Sequence, residues 1–292
     1  MKTISECWTL YFNLVLTNTS SRSVTTESGR WNKHILTHFD SECPANSITS
    51  LKLLEFRTAL TQKKLSPQSI RHCMSLLHRV LNRAKRWGLI ATELPEFEMP
   101  KFDNKRVRFL TQKEASTLLT ELAFRSPLWR DVSLLSLHTG LRAGEIFKLI
   151  PCNYSQASAL LHIFDTKSKC NRSIPLNSIA IEVIERNMNY NDFIFKEQGK
   201  QIKLVSRIFS RAVRACSLNQ NIQDRRQQVV FHTLRHTFAS WLVQGGTPLI
   251  VVSQLLGHKS IQMTMRYAHL APNQCSAAVK SLEQFACPVN FA

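Results

Sequence analysis

Residues 255–270 read LLGHKSIQMTMRYAHL, which places His258 nine positions before Tyr267, with Lys259 and Arg266 between them. The stretch contains no acidic side chain. A histidine and a tyrosine at this distance, taken alone, are most simply explained as two side chains of a surface helix. Whether they belong to a reactive site depends on what accompanies them in the rest of the chain.

The charge of the chain favours a polyanionic partner. Among 292 residues, Lys and Arg number 38 and Asp and Glu number 20, which gives a formal net charge of +18. The imbalance is strongest in residues 201–292, which hold 10 basic and 2 acidic side chains. A basic field this broad predicts binding to nucleic acid, with a membrane surface as the other candidate.

Several classes of protein are disfavoured by features that the sequence lacks. No run approaches the ~20 apolar residues of a membrane-spanning helix, and the N-terminus MKTISECWTL does not resemble a signal peptide. The eight cysteines form no CxxC pair, so we interpret them as reduced thiols of a cytoplasmic protein. No metal-ligand spacing appears, and we expect no metal and no cofactor.

The residue patterns predict two domains of different character. Residues 66–88 form the clearest helix, since Ser66 can cap it, Pro67 suits its first position and Gly88 suits its end. We predict a helical domain over 1–92 and an extended linker over 93–109. The second domain, 110–292, begins with a capping box at Thr111–Glu114 and is mostly helical. Its exception is a β-hairpin formed by 159–164 and 172–176, so the predicted fold class is mainly α with a small β-hairpin or sheet in the second domain.

Four segments of the second domain contain the side chains of a candidate active site. Each could have an ordinary role, such as a surface ion pair, a loop lysine or a contact between helices. The segments are HTGLRAGEI (138–146) with Arg142 and Glu145, the hairpin loop with Lys167, FHTLRHTFAS (231–240) with His232 and Arg235, and the stretch with His258 and Tyr267.

Together, these residue types suit nucleophilic attack on a phosphodiester without a metal ion. Two arginines can bind the non-bridging oxygens, where negative charge increases in the transition state. A tyrosine hydroxyl can attack the phosphorus, although its ordinary pKa of about 10 requires cationic surroundings or a base. A lysine or histidine can protonate the leaving oxygen. A metal-dependent nuclease would instead need clustered Asp and Glu.

The four segments resemble the catalytic domain of the tyrosine recombinases, the phage-integrase family. That family has an arginine in a TGLR-x-x-E box, a hairpin lysine, an H-x-x-R motif, and a GH pair followed nine residues later by the nucleophilic tyrosine. This chain has HTGLRAGE, TKSK, HTLRH and LLGH…RYAH in that order. The resemblance extends from about residue 110 to 270, and residues 1–92 are more weakly similar to the family's helical core-binding domain.

The resemblance implies a role for each matching residue. It makes Tyr267 the nucleophile and Arg142 and Arg235 the ligands of the scissile phosphate. It makes His232 and His258 hydrogen-bond donors to that phosphate that also assist proton movement.

Other residues are assigned by the resemblance to supporting positions. Lys167 would protonate the departing 5′ oxygen, with Lys169 of the same loop as the alternative. Glu145 would hold the arginine helix in place. His236 and His269 are interpreted as packing or capping residues.

The resemblance also implies an activity and partners. We expect a site-specific recombinase, or integrase, that forms a 3′-phosphotyrosyl intermediate and serves the integration or excision of a phage or other mobile element. The expected partners are double-stranded DNA at specific core sites, three further copies in a tetramer on that DNA, and accessory DNA-bending or directionality proteins. An amphipathic segment at 275–286 is expected to dock on a neighbouring copy or to fold back on its own domain.

Three alternatives remain open at this level. The chain could be a DNA-binding regulator or inactive relative that keeps the fold without the reaction. It could be a type IB topoisomerase, which uses similar residues and the same covalent bond. It could also be a helical transcription regulator without a covalent step. Met1 leads almost directly into the helical domain, without a separate small domain for arm-type DNA sites before it. We expect either a protein that binds core sites only or a truncated gene.

Overall fold

The computed structural model of the chain describes residues 2–102, 108–164, 171–189, 192–272 and 279–280. Two compact units make up the fold, Met1–Asn104 and Lys105–Ala292. The loop with Lys167 and Lys169 and most of the segment 275–286 lie outside the described residues. No helix in the described ranges is both long enough and apolar enough to cross a membrane.

The regular structure of the first unit is helical over its described residues. Two of its helices continue into a π-helical turn, at Phe12–Leu16 after the first helix and at Trp31–Ile35 after the second. The helices are α1 (Ile4–Tyr11), α2 (Ser21–Arg30), α3 (Leu36–Phe39), α4 (Ser50–Gln62) and α5 (Pro67–Arg86).

Helix α5 confirms the prediction of a helix that is capped by Ser66, has Pro67 in its first position and ends before Gly88. The Ser66 side chain accepts a hydrogen bond from the Ser69 backbone, Pro67 occupies the first turn, and Gly88 has a φ of 73° beyond the end. One face of α5 is buried in the core of this unit through Ile70, Cys73, Met74, Leu76, Leu77, Val80, Leu81 and Ala84.

The opposite face of α5 is basic, and part of its charge is paired within the unit. Arg79 binds Glu27 at 2.8 Å and Lys85 binds Glu93, whereas Arg71 and Arg86 are exposed. Some basic side chains of this face are therefore neutralised within the unit, while others are open to solvent.

Residues 91–102, which belong to the expected linker, have no helix or strand and pack on the first unit. The Phe97 ring lies 4.7 Å from the His78 ring, between centroids, and Arg57 forms an ion pair with Glu98 at 3.2 Å. Leu94, Phe97 and Met99 contact the core of that unit. This part of the expected linker is thus held on the first unit by side-chain contacts.

The second unit is built around a mainly helical core. Thr111 and Glu114 form the expected capping box at the start of its first helix. Its helices are α6 (Gln112–Arg125), α7 (Pro127–Thr139), α8 (Ala143–Ile146), α9 (Ser178–Arg186), α10 (Arg207–Ala215), α11 (Phe231–Gln244) and α12 (Leu249–Leu256). Short 3-10 turns follow at Pro151–Asn153, Ile261–Met263 and Met265–Leu270.

A three-stranded antiparallel sheet contains the expected hairpin. Its strands are β1 (Tyr154–Ser155), β2 (Leu160–Ile163) and β3 (Arg172–Pro175), in that order across the sheet. Leu161 is paired with Ile174, and both side chains are buried. The alternation of buried and partly exposed residues along β2 agrees with one face packed on the core. The predicted fold class, mainly α with a small β-hairpin or sheet in the second domain, is confirmed.

The prediction of a single hairpin was incomplete. Strand β1 extends the sheet, and a second hairpin is formed by β4 (Lys196–Glu197) and β5 (Lys200–Gln201). These three strands have two residues each, which is too short for an alternating apolar pattern to be visible in sequence.

Helix α7 lies at the centre of the second unit and packs against α6, α9 and α11. Trp129 and Leu135 of α7 are fully buried. A smaller apolar cluster forms where α11 meets α12 and the last 3-10 turn, and it contains Phe238, Ala239, Val243, Val252, Leu256 and Tyr267. This junction of three segments, which are distant in sequence, positions the candidate site.

Candidate active site

The turn after α7 presents Arg142. Gly140 ends α7 with a φ of 66°, in the left-handed region that favours glycine. A Cβ at this position would lie 2.5 Å from Cδ1 of Phe238, so a larger residue would collide with α11. Arg142 then caps the N-terminus of α8 and is partly exposed. The TGLR sequence therefore combines a helix stop, a close approach to α11 and a partly exposed arginine.

Glu145 binds two arginines. Its carboxylate accepts hydrogen bonds from the Arg142 backbone at 3.0 Å and from Nη1 of Arg142 at 2.9 Å. It also accepts from Nη2 of Arg172, on β3, at 2.8 Å. Burial raises the pKa of the Glu145 carboxyl, but the hydrogen bonds and charge of Arg172 and Arg142 outweigh it, so the pKa lies below its ordinary value. These contacts agree with the expected supporting role of Glu145.

Arg235 connects two segments of the site through backbone carbonyls. Its side chain is buried on α11, where Nη1 donates to the Gly140 carbonyl at 2.7 Å and Nη2 donates to the Leu256 carbonyl at 2.6 Å. Burial, assisted by the nearby charge of Arg142, lowers the pKa of the Arg235 guanidinium to about 9. It therefore remains a cation at neutral pH. Because Gly140 lies two residues before Arg142, this contact brings the two expected phosphate ligands into one region.

His258 follows the turn that ends α12. Gly257 has a φ of 62°, and a Cβ there would lie 2.9 Å from Cδ of Arg172, so both the backbone and the space require glycine. The imidazole Nδ1 of His258 lies 2.8 Å from Oγ1 of Thr264. Burial and the charges of Arg235 and Arg142 lower the pKa of His258 to about 4. This histidine is therefore neutral at pH 7 in the free protein.

Tyr267 lies in the 3-10 turn Met265–Leu270 and is only 5% exposed. Its hydroxyl Oη is 2.6 Å from Nδ1 of His236. Burial raises the pKa of the Tyr267 hydroxyl, although the charges of Arg266 and Arg235 act in the opposite direction. The interpretation of His236 as a packing or capping residue did not include this bond to the expected nucleophile.

Of the remaining residues named from the sequence, the structure describes the two histidines and leaves out the two lysines. His232 is exposed on α11, and its ring meets the His236 ring edge-on with 4.9 Å between centroids. His269 is exposed on the same turn as Tyr267. Lys167 and Lys169 lie outside the described residues, in the loop between β2 and β3.

Sequence reasoning missed the contributions of His236 and Arg172. For His236 a signal was available, because His232 and His236 are four residues apart and therefore lie on one face of a helix. For Arg172 there was none, because its partner Glu145 is 27 positions away. In the described part of the chain, no group of three or more Asp, Glu, His and Cys side chains is arranged to hold a metal ion.

A second basic surface lies on α10, apart from these contacts. Phe209, Ala212 and Val213 bury one side of the helix in the core of the unit. The other side exposes three arginines at spacings of four and three residues, which places them in one row. They are Arg207, Arg211 and Arg214.

The comparisons with known proteins agree with one another on the family of this chain. The model of the phage integrase family matches residues 108–274. An integrase of Salmonella phage P22 is 32% identical over 223 residues, a match that covers 72% of this chain and 56% of that integrase. A tyrosine recombinase of Thermosipho africanus is 25% identical over 249 residues, covering 81% of this chain and 86% of the recombinase. The chain thus spans little more than half of the P22 protein.

Solved structures share the fold at low sequence identity. The Tn1549 transposon integrase, in complex with a circular intermediate DNA, superimposes with a TM-score of 0.77 at 18% identity, covering 97% of this chain and 100% of that one. A lambda integrase fragment bound as a dimer to a core site gives a TM-score of 0.74 at 18% identity, covering 91% and 95%. At these identities, the likeness concerns the fold alone.

Proposed function

The chain belongs to the phage integrase family, and on that premise we propose that it is a site-specific DNA recombinase that cleaves and rejoins DNA through a 3′-phosphotyrosyl intermediate. One observation supports this most directly. The buried Tyr267 hydroxyl lies at the junction of α11 and α12, where Arg235 binds the carbonyls that precede Arg142 and His258. The proposed nucleophile and the cationic side chains proposed to bind the phosphate are thus brought into the same region by these contacts.

In the proposed reaction, Arg142 and Arg235 bind the non-bridging oxygens of the scissile phosphate. A guanidinium has five N–H donors, and the contacts described for Arg235 use two of its nitrogens, which leaves donors for a phosphate oxygen. Arg142 is more exposed and receives its orientation from Glu145. Arginines held in advance stabilise the charge that develops in the transition state without reorganising at that moment.

The covalent step exchanges one phosphate ester for another. Oη of Tyr267 gives up its proton to a base and forms a bond to phosphorus, the bond from phosphorus to the 5′ oxygen breaks, and the 5′ oxygen takes up a proton from an acid. We assign that proton donor to Lys167, with Lys169 as the alternative. Neutral His258 and exposed His232 are proposed to donate hydrogen bonds to the phosphate. Attack by a 5′ hydroxyl from another strand reverses the step and frees the tyrosine.

Both units are proposed to contact DNA. Residues 1–92 would act as the core-binding domain, 93–109 as the linker and 110–292 as the catalytic domain. The candidate phosphate contacts are the exposed arginines of α5 and the arginine row of α10. Each cationic side chain that neutralises a phosphate releases condensed counterions, and this release favours binding. The net charge of +18 supports this assignment.

Recombination between two duplexes requires four cleavages, so we propose a tetramer on DNA. A lambda integrase tetramer bound to a Holliday junction has the same fold, with a TM-score of 0.72 at 17% identity. The biological role we propose is integration or excision of a phage or other mobile element in the cytoplasm, with accessory DNA-bending or directionality proteins. A regulator without a covalent step and a type IB topoisomerase receive less support, because the relatives named above are integrases and recombinases.

A covalent trapping experiment tests the proposed function. The substrate is a nicked DNA that carries the junction between host and element, in which the strand released by cleavage diffuses away. Wild-type protein should form an adduct that survives denaturing electrophoresis. Tyr267→Phe should bind the same DNA in a gel shift and form no adduct, because only the attacking hydroxyl is lost.

The matched control is Tyr154→Phe, which removes a hydroxyl that binds Glu185 at 3.1 Å on the surface of the same unit. This variant should form the adduct at the wild-type rate. An adduct formed by Tyr267→Phe would refute the assignment of the nucleophile, and the absence of any adduct with wild-type protein would refute the enzymatic proposal.

A further inference from the structure

The hydrogen bond between His236 and Tyr267 is short and sheltered. Nδ1 of His236 and Oη of Tyr267 are 2.6 Å apart, and the two residues are 6% and 5% exposed. Phe238 and Leu256 belong to the apolar cluster that surrounds the tyrosine. In such surroundings a hydrogen bond is stronger than in water, and a buried hydroxyl without a partner would be costly.

The buried pair lies next to a second, exposed histidine of α11. His236 follows His232 by one helical turn, so both imidazoles lie on the same side of α11. Their rings meet edge-on, with centroids 4.9 Å apart, and His232 is exposed. Arg235 and Arg266 are the charged groups that act on the Tyr267 hydroxyl from α11 and from its own turn. The ring of His236 thus lies between the tyrosine hydroxyl and an exposed histidine.

The tyrosine needs a proton acceptor in order to attack. Burial raises the pKa of its hydroxyl, so the group is protonated at neutral pH and is a weak nucleophile. A base must lie within hydrogen-bond reach of the proton that it removes. The structure gives that position to His236, whereas the histidines expected to act on the phosphate are His232 and His258.

We propose that His236 is a further catalytic residue, the base that accepts the Tyr267 proton during cleavage, an inference that rests on the proposed recombinase function. In the tautomer with its hydrogen on Nε2, the imidazole accepts the hydroxyl hydrogen at Nδ1. As Oη bonds to phosphorus, the proton moves to Nδ1, the bond to the 5′ oxygen breaks, and that oxygen is protonated by the hairpin lysine. On rejoining, His236 returns its proton to the departing tyrosine oxygen.

The test separates proton transfer on the tyrosine side from proton transfer on the leaving-group side. Single-turnover cleavage is measured with His236→Asn on the trapping substrate and on the same DNA with sulfur replacing the bridging 5′ oxygen. Asparagine can keep a hydrogen bond to Oη but cannot hold the proton. Sulfur departs without protonation, so its use removes the need for the general acid. A base role predicts that cleavage slows by about 10²–10⁴-fold, and to the same extent on both substrates.

Two further variants calibrate the measurement. His269→Asn makes the same substitution at an exposed histidine two positions after Tyr267, and cleavage by it should be unchanged. Lys167→Ala should lose activity on the oxygen substrate and regain it on the sulfur substrate. Gel shifts and thermal unfolding show whether each variant is folded, and His236→Gln is the second variant if His236→Asn is not.

The outcomes distinguish this inference from the proposed function. If wild-type protein forms the adduct and a folded His236 variant cleaves at the wild-type rate, His236 only positions the hydroxyl and the inference is wrong. If the loss disappears on the sulfur substrate, His236 acts on the leaving group and the inference is again wrong. If wild-type protein forms no adduct, the proposed function fails together with it.

Discussion

Nη2 of Arg172 lies 2.8 Å from Oε2 of Glu145, and both side chains are at least nine-tenths buried. The same arginine donates from Nε to the Leu255 carbonyl at 3.1 Å. Arg172 therefore joins β3 to α8, whose N-cap residue is Arg142, and to the end of α12, which precedes His258. This one side chain of the hairpin thus contacts both the segment that contains Arg142 and the segment that leads to His258.

We expect Arg172→Met to destabilise the second unit strongly. The substitution leaves the Glu145 carboxylate buried with only part of its hydrogen bonds, and breaking a buried pair in this way costs about 3–5 kcal/mol. Urea unfolding followed by tryptophan fluorescence measures the loss. The double variant Arg172→Met with Glu145→Gln should recover part of it, since no unpaired charge remains. A loss below about 1 kcal/mol in the single variant would contradict the structural role.

The same pair should make stability depend on pH under acidic conditions. The pKa of Glu145 in the folded protein lies below the ordinary value of 4.5, so the unfolded chain takes up the proton first as pH falls. The stabilisation is fully present above about pH 4.5 and is lost as pH falls through the folded-state pKa. The difference in unfolding free energy between wild type and Glu145→Gln should therefore shrink below pH 4.5. A difference that grows there would oppose this sign.

Gly257→Ala should destabilise the protein and disturb Arg172. The residue has a φ of 62°, and the added Cβ would meet Arg172 at 2.9 Å. A strained backbone of this kind costs about 1–3 kcal/mol. Gly29→Ala is the matched control, since Gly29 lies within α2 with nothing within 4 Å of its Cβ position. That control should be neutral or stabilising by up to about 1 kcal/mol. Equal effects of the two substitutions would argue against the described turn.

His258 should titrate far below the usual range of histidine. Its pKa of about 4 results from burial and from the surrounding guanidinium groups of Arg235, Arg142, Arg266 and Arg172. Histidine side-chain NMR of the free protein, with His258→Gln to assign the resonance, measures the midpoint. Bound DNA brings a phosphate and should raise the midpoint, because an anion favours the imidazolium. A midpoint near 6.5 in the free protein would contradict the burial of this side chain.

The arginine row of α10 should contribute to the salt dependence of DNA binding. Each neutralised phosphate adds about 0.9 to the slope of log affinity against log salt. Replacing Arg207, Arg211 or Arg214 singly with Gln should reduce the slope by up to that amount. Arg125→Gln is the control, because Arg125 is held by Glu121 at 2.6 Å. If the α10 variants behave like this control, the row does not contact phosphate.

Cleavage should continue in excess EDTA and without ATP. Arginines carry the charge of the phosphate in the proposed site, and the phosphotyrosine conserves the energy of the broken bond. The adduct assay, with and without chelator, measures this directly. Loss of the adduct in EDTA and its return with Mg²⁺ would require a different mechanism.

Much of the local structure was determined by the sequence alone. Ser66 and Pro67 at the start of α5, and Thr111 with Glu114 at the start of α6, act within a single turn of chain, so their hydrogen bonds depend on neighbours in sequence. The order of the motifs, from the TGLR box to Tyr267, likewise predicted the family.

Tertiary structure decided which partner each of these residues has. His236 and Tyr267 are 31 positions apart, Glu145 and Arg172 are 27 apart, and Arg235 lies 95 positions from the Gly140 carbonyl that it binds. No periodicity or cap relates residues at such distances. His236 and Tyr267 meet because α11 and α12 bury their apolar faces together with the final turn, and this packing leaves Nδ1 of His236, rather than solvent, beside the tyrosine hydroxyl.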